Sequence, residues 1–293
     1  MIFKGSGVAI ITPFDKSGEV DYAAYEKLIH FHLINQTDAI IVCGTTGEAA
    51  TMTEEEKLSL IRFTAEKVAG KIPVIAGTGS NNTRVSVEFS KKVSQIDGVD
   101  GQLVVTPYYN KSTKDGLFKH FESIANASKL PIILYNVPSR TNVNIDLDML
   151  IKLSKIDTIV GIKDASGDLD YTARARKELS NDFAIYSGND DLTLPMLALG
   201  IDGSISVFAN VMPKASHDLI ALYKAKKVDE ARNIHLEYFD FIKNLFMEVN
   251  PVPVKAALSI LGLCENNLRL PLSSAEEKTM DIIRKDLEGF NLC

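Results

Sequence analysis

The chain has 293 residues, of which 45% are hydrophobic and 24% charged, and these globular proportions exclude a disordered, collagen-like or disulfide-scaffold protein. Its 32 Lys and Arg against 38 Asp and Glu give a net charge of -6, which argues against nucleic acid as a partner. The cysteines Cys43, Cys264 and Cys293 are far apart, so we expect a reducing, cytoplasmic setting. With no signal-like segment before Pro13 and no apolar stretch of about 18 residues, we expect no membrane partner.

Eight short apolar runs follow one another along the chain, each closed by polar or turn-forming residues. Their apolar character is continuous rather than alternating, which is typical of strands buried on both faces in a parallel sheet. The runs are VAIIT from Val8, AIIVCG from Ala39, PVIAGTG from Pro73, QLVVTP from Gln102, PIILYNVP from Pro131, TIVGIKD from Thr158, FAIYSGND from Phe183 and GSISVF from Gly203.

Segments with helical periodicity separate these runs. The clearest extends from Thr53 to Ala69, where Thr53 and Glu56 predict a capping box at the helix start. Eight strand–helix units predict an α/β fold, a (β/α)8 TIM barrel. A doubly wound open sheet is the alternative, but it requires a glycine fingerprint after its first strand, whereas Gly5-Ser6-Gly7 precedes the first run.

The chain continues well beyond the last predicted strand. Val228 to Val249 predicts one long helix that ends before Pro251, and residues 254–261 and 275–287 predict two more helices. We therefore divide the chain into a barrel at 1–225 and a C-terminal helical extension, packed on the barrel, at 226–293.

Lys163 lies at the end of an apolar strand, and in barrels of this type the active site forms at these carboxyl ends. An ammonium group is costly to bury there unless it is paired or reacts while neutral. One interpretation is structural, with the lysine reaching solvent or pairing with Asp164. The other is chemical, with a desolvated amine attacking a carbonyl carbon to form a Schiff base.

Other strand ends carry groups suited to an acid substrate. Thr45 and Thr46 offer hydroxyl and backbone donors for a carboxylate, although an ordinary loop is equally compatible. Tyr135 fits either a core position or a proton relay, and Arg140 fits either a carboxylate contact or a surface position. The motifs for zinc proteases, P-loops, calcium loops and nucleophile elbows are absent, so we expect neither a metal nor a cofactor.

Seven motifs extend this pattern over nearly the whole chain. They are GTTGEA at Gly44, GTGSNNT at Gly77, TPYYNK at Thr106, LYNVPSRT at Leu134, GIKDASGD at Gly161, SGND at Ser187 and NPVPVKAAL at Asn250. In order and spacing the chain resembles the pyruvate-dependent class I aldolases, the family of dihydrodipicolinate synthases and N-acetylneuraminate lyases. The paired threonines, the arginine and NPVPVK resemble the synthase branch.

The resemblance implies a lyase in which Lys163 forms a Schiff base with pyruvate. The resulting enamine would attack L-aspartate 4-semialdehyde and yield 4-hydroxy-tetrahydrodipicolinate, on the diaminopimelate route to lysine. Tyr135 would act as the acid or base at the imine, with Thr46 and Tyr109 completing a proton relay.

The same resemblance implies the substrate contacts. Thr45 and Thr46 would bind the carboxylate of pyruvate, while Gly188 and the backbone of Ile205 would line the pocket. Arg140 would bind the carboxylate of the semialdehyde.

The resemblance also implies a homo-oligomer. In the family Tyr109 reaches the active site of a neighbouring subunit, so a dimer would be the smallest active unit and a tetramer, a dimer of dimers, the usual assembly. Exposed apolar surface on Tyr108 and Tyr109 is costly in a monomer and sensible in a symmetric interface.

The chain departs from the lysine-inhibited members of the family. Those members carry a serine, two histidines and a glutamate where this chain has Ala49, Glu54, Lys57 and Val85, although Asn81 and Tyr108 remain. Because Lys57 would repel an ammonium group, we expect weak or absent inhibition by free lysine. Asn142 replaces a common glycine, with no effect that the sequence predicts.

Two other functions remain open at this point. One is a sister aldolase acting on a sugar acid, which has less reason to contain Arg140. The other is a non-catalytic binding barrel, which has no reason to combine Lys163, Tyr135 and Thr46. Fold alone does not separate them, because barrels support many chemistries.

Overall fold

Eight parallel strands form a closed barrel in the computed structural model, which describes residues 1–293. The strands pair in chain order, and β1 closes the barrel by pairing with β8. Their bounds are β1 Gly5–Ala9, β2 Ala39–Val42, β3 Val74–Gly77, β4 Gly101–Val105, β5 Ile132–Asn136, β6 Ile159–Asp164, β7 Ala184–Ser187 and β8 Gly203–Ser206. The predicted TIM barrel is therefore confirmed, and the open-sheet alternative is excluded.

Helices alternate with the strands and continue after the last one. Their bounds are α1 Tyr22–Ile34, α2 Glu54–Val68, α3 Thr83–Val93, α4 Lys114–Ala127, α5 Pro138–Thr141, α6 Leu147–Leu153, α7 Leu169–Glu178, α8 Thr193–Ala198, α9 Pro213–Lys224, α10 Val228–Glu237, α11 Phe239–Asn244, α12 Val252–Ile260 and α13 Glu277–Gly289. None of them is long and apolar enough to cross a membrane.

The first strand begins earlier than the apolar run at Val8 predicts. Gly5-Ser6-Gly7 lies inside β1, and Gly5 pairs with Gly203 of β8. A β-carbon on Gly203 would overlap the carbonyl oxygen of Gly5, so the two closing strands require a small residue there. The glycines therefore belong to the sheet and not to a preceding loop.

The interior of the barrel is filled with side chains. A cluster of 13 buried hydrophobic residues, including Phe3, Ile41, Ile75 and Tyr186, occupies it, and Phe3 stacks on Tyr186 with ring centroids 4.4 Å apart. Two larger clusters fill the space between the barrel and its helices. Burial on both faces explains the continuous apolar runs, and the filled interior leaves the ends of the barrel for a binding site.

Helix α2 begins where the sequence predicts. The Thr53 side chain accepts from the Glu56 backbone N–H at 3.2 Å, and the Glu56 carboxylate accepts from the Thr53 N–H at 2.7 Å. The helix ends before Ala69, which adopts a left-handed conformation with φ 50°. The predicted capping box is present.

The single helix predicted over Val228 to Val249 is wrong. The segment forms α10 and α11, which meet at Tyr238, where the backbone leaves the helical region with φ -97° and ψ 4°. The break turns Tyr238 toward Phe290 and Phe208, with ring centroids 4.8 Å and 5.4 Å away. Aromatic packing on the end of the chain thus overrides the local helical pattern.

The last helices share the core of the barrel. Ile283 and Leu287 of α13 belong to the same buried cluster as Val8 of β1. We propose on this ground that 226–293 is an extension of the barrel at 1–225, and not a separately folding unit.

Candidate active site

Lys163 lies at the carboxyl end of β6 and is only 5% exposed. Its register partner on β5 is Tyr135, and the Lys163 Nζ lies 4.3 Å from the centre of the Tyr135 ring. The amine makes no hydrogen bond or ion pair within the chain. It is therefore a buried amine that faces an aromatic ring and has no carboxylate partner.

Asp164 does not pair with Lys163, because neighbouring residues of a strand point to opposite faces of the sheet. The Asp164 carboxylate accepts from the Asn136 side-chain amide at 2.9 Å and from the Ser166 hydroxyl at 2.7 Å. Burial raises the pKa of Asp164, against the effect of these hydrogen bonds. Neither solvent exposure nor an ion pair with Asp164 therefore accounts for the position of Lys163 at the end of the strand.

The turn after β7 leaves space for the lysine. A β-carbon on Gly188 would lie 3.0 Å from the Lys163 Cε and 2.8 Å from the Ala165 Cβ, both closer than usual packing. Ile205 of β8 is fully buried in the interior cluster that also contains Tyr135. Gly188 thus lies beside Lys163, whereas Ile205 shares only the interior cluster with Tyr135.

Asp190 fixes the backbone on the far side of this turn. Its carboxylate accepts the N–H groups of Val207 and Phe208, each at 2.9 Å, directly after β8. Burial raises the pKa of Asp190, whereas its hydrogen bonds and the positive charge of Lys163 oppose the rise. Asp190 ends the SGND motif, and the sequence alone predicts no role for it.

The loop after β2 holds the two threonines at the same end of the barrel. The Thr46 hydroxyl is 2% exposed and accepts from the Asn250 side-chain amide at 3.0 Å. The Thr12 hydroxyl, after β1, donates to the Gly47 carbonyl at 2.7 Å. The threonine loop is therefore fixed on both sides.

Arg140 lies in the short helix α5 after β5. Its guanidinium donates to the backbone carbonyl of Asn250 at 3.2 Å. Asn250 therefore contacts Arg140 through its carbonyl and Thr46 through its side chain. Asn250 begins the NPVPVKAAL motif, and the sequence alone predicts no role for it.

A cavity of about 370 Å³ opens at this end of the barrel. Thr45, Tyr135 and Arg140 line it, as do Lys57 and Val85. A larger open groove of about 690 Å³ lies between α4 and α6, but it contains none of the strand-end groups. The smaller cavity is the candidate active site because it brings together an acid–base group and carboxylate-binding groups.

Tyr109 does not line this cavity. It follows β4 with a left-handed backbone, φ 70°, and its side chain is 92% exposed. Its neighbour Tyr108 does line the cavity. Within one chain the structure therefore brings Lys163 to Tyr135 and links Thr46 to Arg140 through Asn250. Tyr109 remains exposed and outside the cavity.

A charged cluster lies behind the threonine loop. Lys255 of α12 pairs with Glu48 at 2.5 Å, and both side chains are almost completely buried. Burial lowers the pKa of Lys255, and Glu48 opposes that shift. Arg269 donates its backbone N–H to Glu48 at 3.1 Å and pairs with Glu56 through its guanidinium. A lysine inside the apolar run VPVKAAL was the sequence signal for this cluster.

Comparison with known proteins identifies the family of this chain. Residues 2–289 match the model of the dihydrodipicolinate synthetase family. The chain belongs to that family. It is 52% identical to the 4-hydroxy-tetrahydrodipicolinate synthase of Alkaliphilus oremlandii over 288 residues, which is 97% of this chain and 99% of the relative.

Solved structures of the dihydrodipicolinate synthetase family share the whole fold. The synthase of Acinetobacter baumannii complexed with pyruvate superposes with a TM-score of 0.97 at 41% identity and covers 100% of both chains. The enzyme of Cyanidioschyzon merolae with lysine bound superposes with a TM-score of 0.97 at 42% identity, covering 100% of this chain and 99% of that one.

The Arg269–Glu56 pair predicts a pH dependence of stability. Hydrogen bonding to Arg269 is the main reason that the pKa of Glu56 falls from 4.5 to about 2. A lowered carboxyl pKa stabilises the fold above pH 4.5, and this contribution is lost as the pH falls toward 2. We expect Glu56→Gln to lower the melting temperature at pH 7, and we expect its difference from the wild type to shrink below pH 4.5 and nearly vanish by pH 2.

The control is Glu66→Gln, at an exposed position on the same helix. The melting temperatures of both variants and the wild type are measured by circular dichroism across this pH range. A difference between Glu56→Gln and the wild type that stays constant from pH 7 to pH 3 would contradict the ion-pair explanation.

Proposed function

We propose that this protein is a 4-hydroxy-tetrahydrodipicolinate synthase, a carbon–oxygen lyase by classification. It condenses pyruvate with L-aspartate 4-semialdehyde on the diaminopimelate route to lysine. The main support is the unpaired, buried amine of Lys163 beside Tyr135, at the cavity end of the barrel, in a family whose curated member is 52% identical.

Lys163 is the nucleophile in this proposal. Its neutral amine attacks the keto carbon of pyruvate, and loss of water gives an imine to Nζ. Removal of a methyl proton converts the imine to an enamine, whose carbon attacks the aldehyde carbon of the semialdehyde. The amine of the condensed product then attacks the imine carbon, closing the ring and releasing Lys163.

In the proposal Tyr135 exchanges protons at the imine. The Lys163 amine lies 4.3 Å from the centre of the Tyr135 ring, and Tyr135 is 7% exposed. General acid–base groups have to lie within hydrogen-bond reach of the reacting atoms. In the proposal Thr46 passes the proton onward, and Tyr109 completes the relay from a second subunit.

Two sets of groups bind the substrates. Thr45 and Thr46 bind the carboxylate of pyruvate, with the Gly188 turn and the backbone of Ile205 lining the pocket. Arg140 lines the same cavity and binds the carboxylate of the semialdehyde. The pyruvate complex of the Acinetobacter baumannii relative supports the choice of keto acid.

A homo-oligomer completes the proposal. Tyr109 is 92% exposed, which suits a side chain that enters the site of a partner in a symmetric dimer. Two such dimers would form a tetramer. The three cysteines are free, which suits the reducing cytoplasm that we propose as its location.

Lys163→Ala tests the reaction directly. We expect wild-type protein to consume pyruvate with aspartate 4-semialdehyde and not with N-acetylmannosamine, and turnover to fall at least about 1,000-fold in the variant because the nucleophile is missing. Borohydride reduction with pyruvate should add mass to the wild-type peptide that contains Lys163. The exposed-lysine variant Lys177→Ala is the control.

Turnover with the sugar alone would favour the sister aldolase, in which Arg140 has no substrate carboxylate to bind. No turnover and no borohydride adduct would favour the binding barrel.

Tyr109→Phe tests the relay. Removing one exposed hydroxyl leaves packing intact, so we expect the melting temperature to change little while kcat falls by about 10-fold or more, as for loss of a proton-transfer group. Tyr223→Phe on α9 is the matched control. Unchanged kinetics in Tyr109→Phe would refute a role in proton transfer.

Free lysine is expected to inhibit weakly or not at all. Among the residues that line the cavity, Glu54 is paired with Lys92, and the ammonium of Lys57 lies over the Phe89 ring without a carboxylate partner. A cationic amino acid would therefore meet an uncompensated positive charge. A lysine titration of the initial rate checks this, and strong inhibition at sub-millimolar lysine would overturn it.

A further inference from the structure

Neither Lys255 nor Glu48 lines the candidate cavity, yet the pair lies immediately behind the threonine loop. Glu48 is the residue directly after Gly44-Thr45-Thr46-Gly47, and its carboxylate forms an ion pair with the Lys255 ammonium at 2.5 Å. The Lys255 Nζ also donates to the Asn267 carbonyl at 2.8 Å and lies 4.2 Å from the centre of the Phe14 ring.

Glu48 is in a strained backbone conformation. Its φ of 53° and ψ of 33° lie in the left-handed region, which a residue with a β-carbon rarely adopts. Such a conformation persists only where the surroundings impose it. Here Lys255 and the Arg269 N–H hold the carboxylate, and this anchors the end of the threonine loop.

Burying two charges is an expensive way to stabilise a fold. An apolar pair of similar size is often as stable or more stable, because both ions lose their hydration. Buried ion pairs do, however, fix geometry, since only one arrangement satisfies both charges. The chain segment that supplies Lys255 also supplies Asn250, which donates to Thr46 and accepts from Arg140.

We propose that the buried Lys255–Glu48 ion pair is a positioning device that holds Gly44–Glu48 in its left-handed turn, and so places Thr45 and Thr46 against the carboxylate of the keto-acid substrate. The identity of that carboxylate rests on the proposed function. Lys255 and Glu48 are positioning residues, because they act through the threonines and not on the reacting atoms.

The test compares Glu48→Gln, Lys255→Met and the double variant, with Arg176→Met as control. Arg176 pairs with Asp202 at 3.7 Å, is also largely buried, and lies away from the threonine loop. Three quantities are measured for the full-length protein: the melting temperature, hydrogen exchange of a peptide covering residues 43–52, and the pyruvate concentration that gives half-maximal borohydride trapping. The exchange measurement reports the Gly47 and Glu48 amides, which are hydrogen-bonded to the carbonyls of Gly44 and Thr45.

In each single variant, hydrogen exchange of the peptide covering residues 43–52 should be faster. Half-maximal trapping should require up to about 100-fold more pyruvate, as expected for a site displaced by about 1 Å. Saturating pyruvate should still give full trapping, because Lys163 is unchanged. The double variant should regain melting temperature, since neither charge is left unpaired, while the fast exchange and the raised pyruvate requirement remain.

The proposal is overturned if the double variant recovers wild-type exchange and pyruvate dependence. It is equally overturned if Arg176→Met, at the same loss of melting temperature as the single variants of the ion pair, raises the pyruvate requirement as much as they do. If wild-type protein traps no pyruvate, the proposed function fails, and the exchange of the loop peptide alone then decides whether the ion pair holds the turn.

Discussion

Closure of the barrel between β1 and β8 is the constraint on which the rest of the structure depends. The closing strands approach so closely at Gly5 and Gly203 that a β-carbon does not fit. Once the sheet is closed, its interior is filled by the side chains of alternating residues, and no binding space remains inside it. Parallel strands then present all their carboxyl ends at one rim, so groups distant in sequence meet there.

Two buried lysines of this fold differ in whether a counter-ion compensates their charge. Lys255 is satisfied by Glu48 and the Asn267 carbonyl, so its charge is compensated and its position fixed. Lys163 has only the face of the Tyr135 ring, so its amine remains available at the rim. Burial alone does not distinguish these two lysines, whereas the presence of a counter-ion does, and the proposed nucleophile is the one without it.

The barrel was predictable because its signal is local: a buried parallel strand is apolar throughout, and each of the eight runs overlaps a strand in the structure. The candidate site was largely predictable for the same reason, since strand ends are visible in sequence. The break at Tyr238 was not, because its cause is packing on Phe290, 52 positions further along the chain. The partners of Thr46 and Glu48 were not predictable either, because hydrogen bonds to Asn250 and Lys255 span about 200 residues.

The loop at Gly44–Glu48 is held by residues that are synthesised much later than the loop itself. They are Asn250, Lys255 and Arg269. All eight strands precede residue 207, so a nascent chain emerging from the ribosome contains the complete barrel sequence and Lys163 before any of these three residues is made. Lys163 thus precedes the groups that hold the threonine loop. A fragment truncated before Asn250 retains this lysine but lacks all three contacts to the loop.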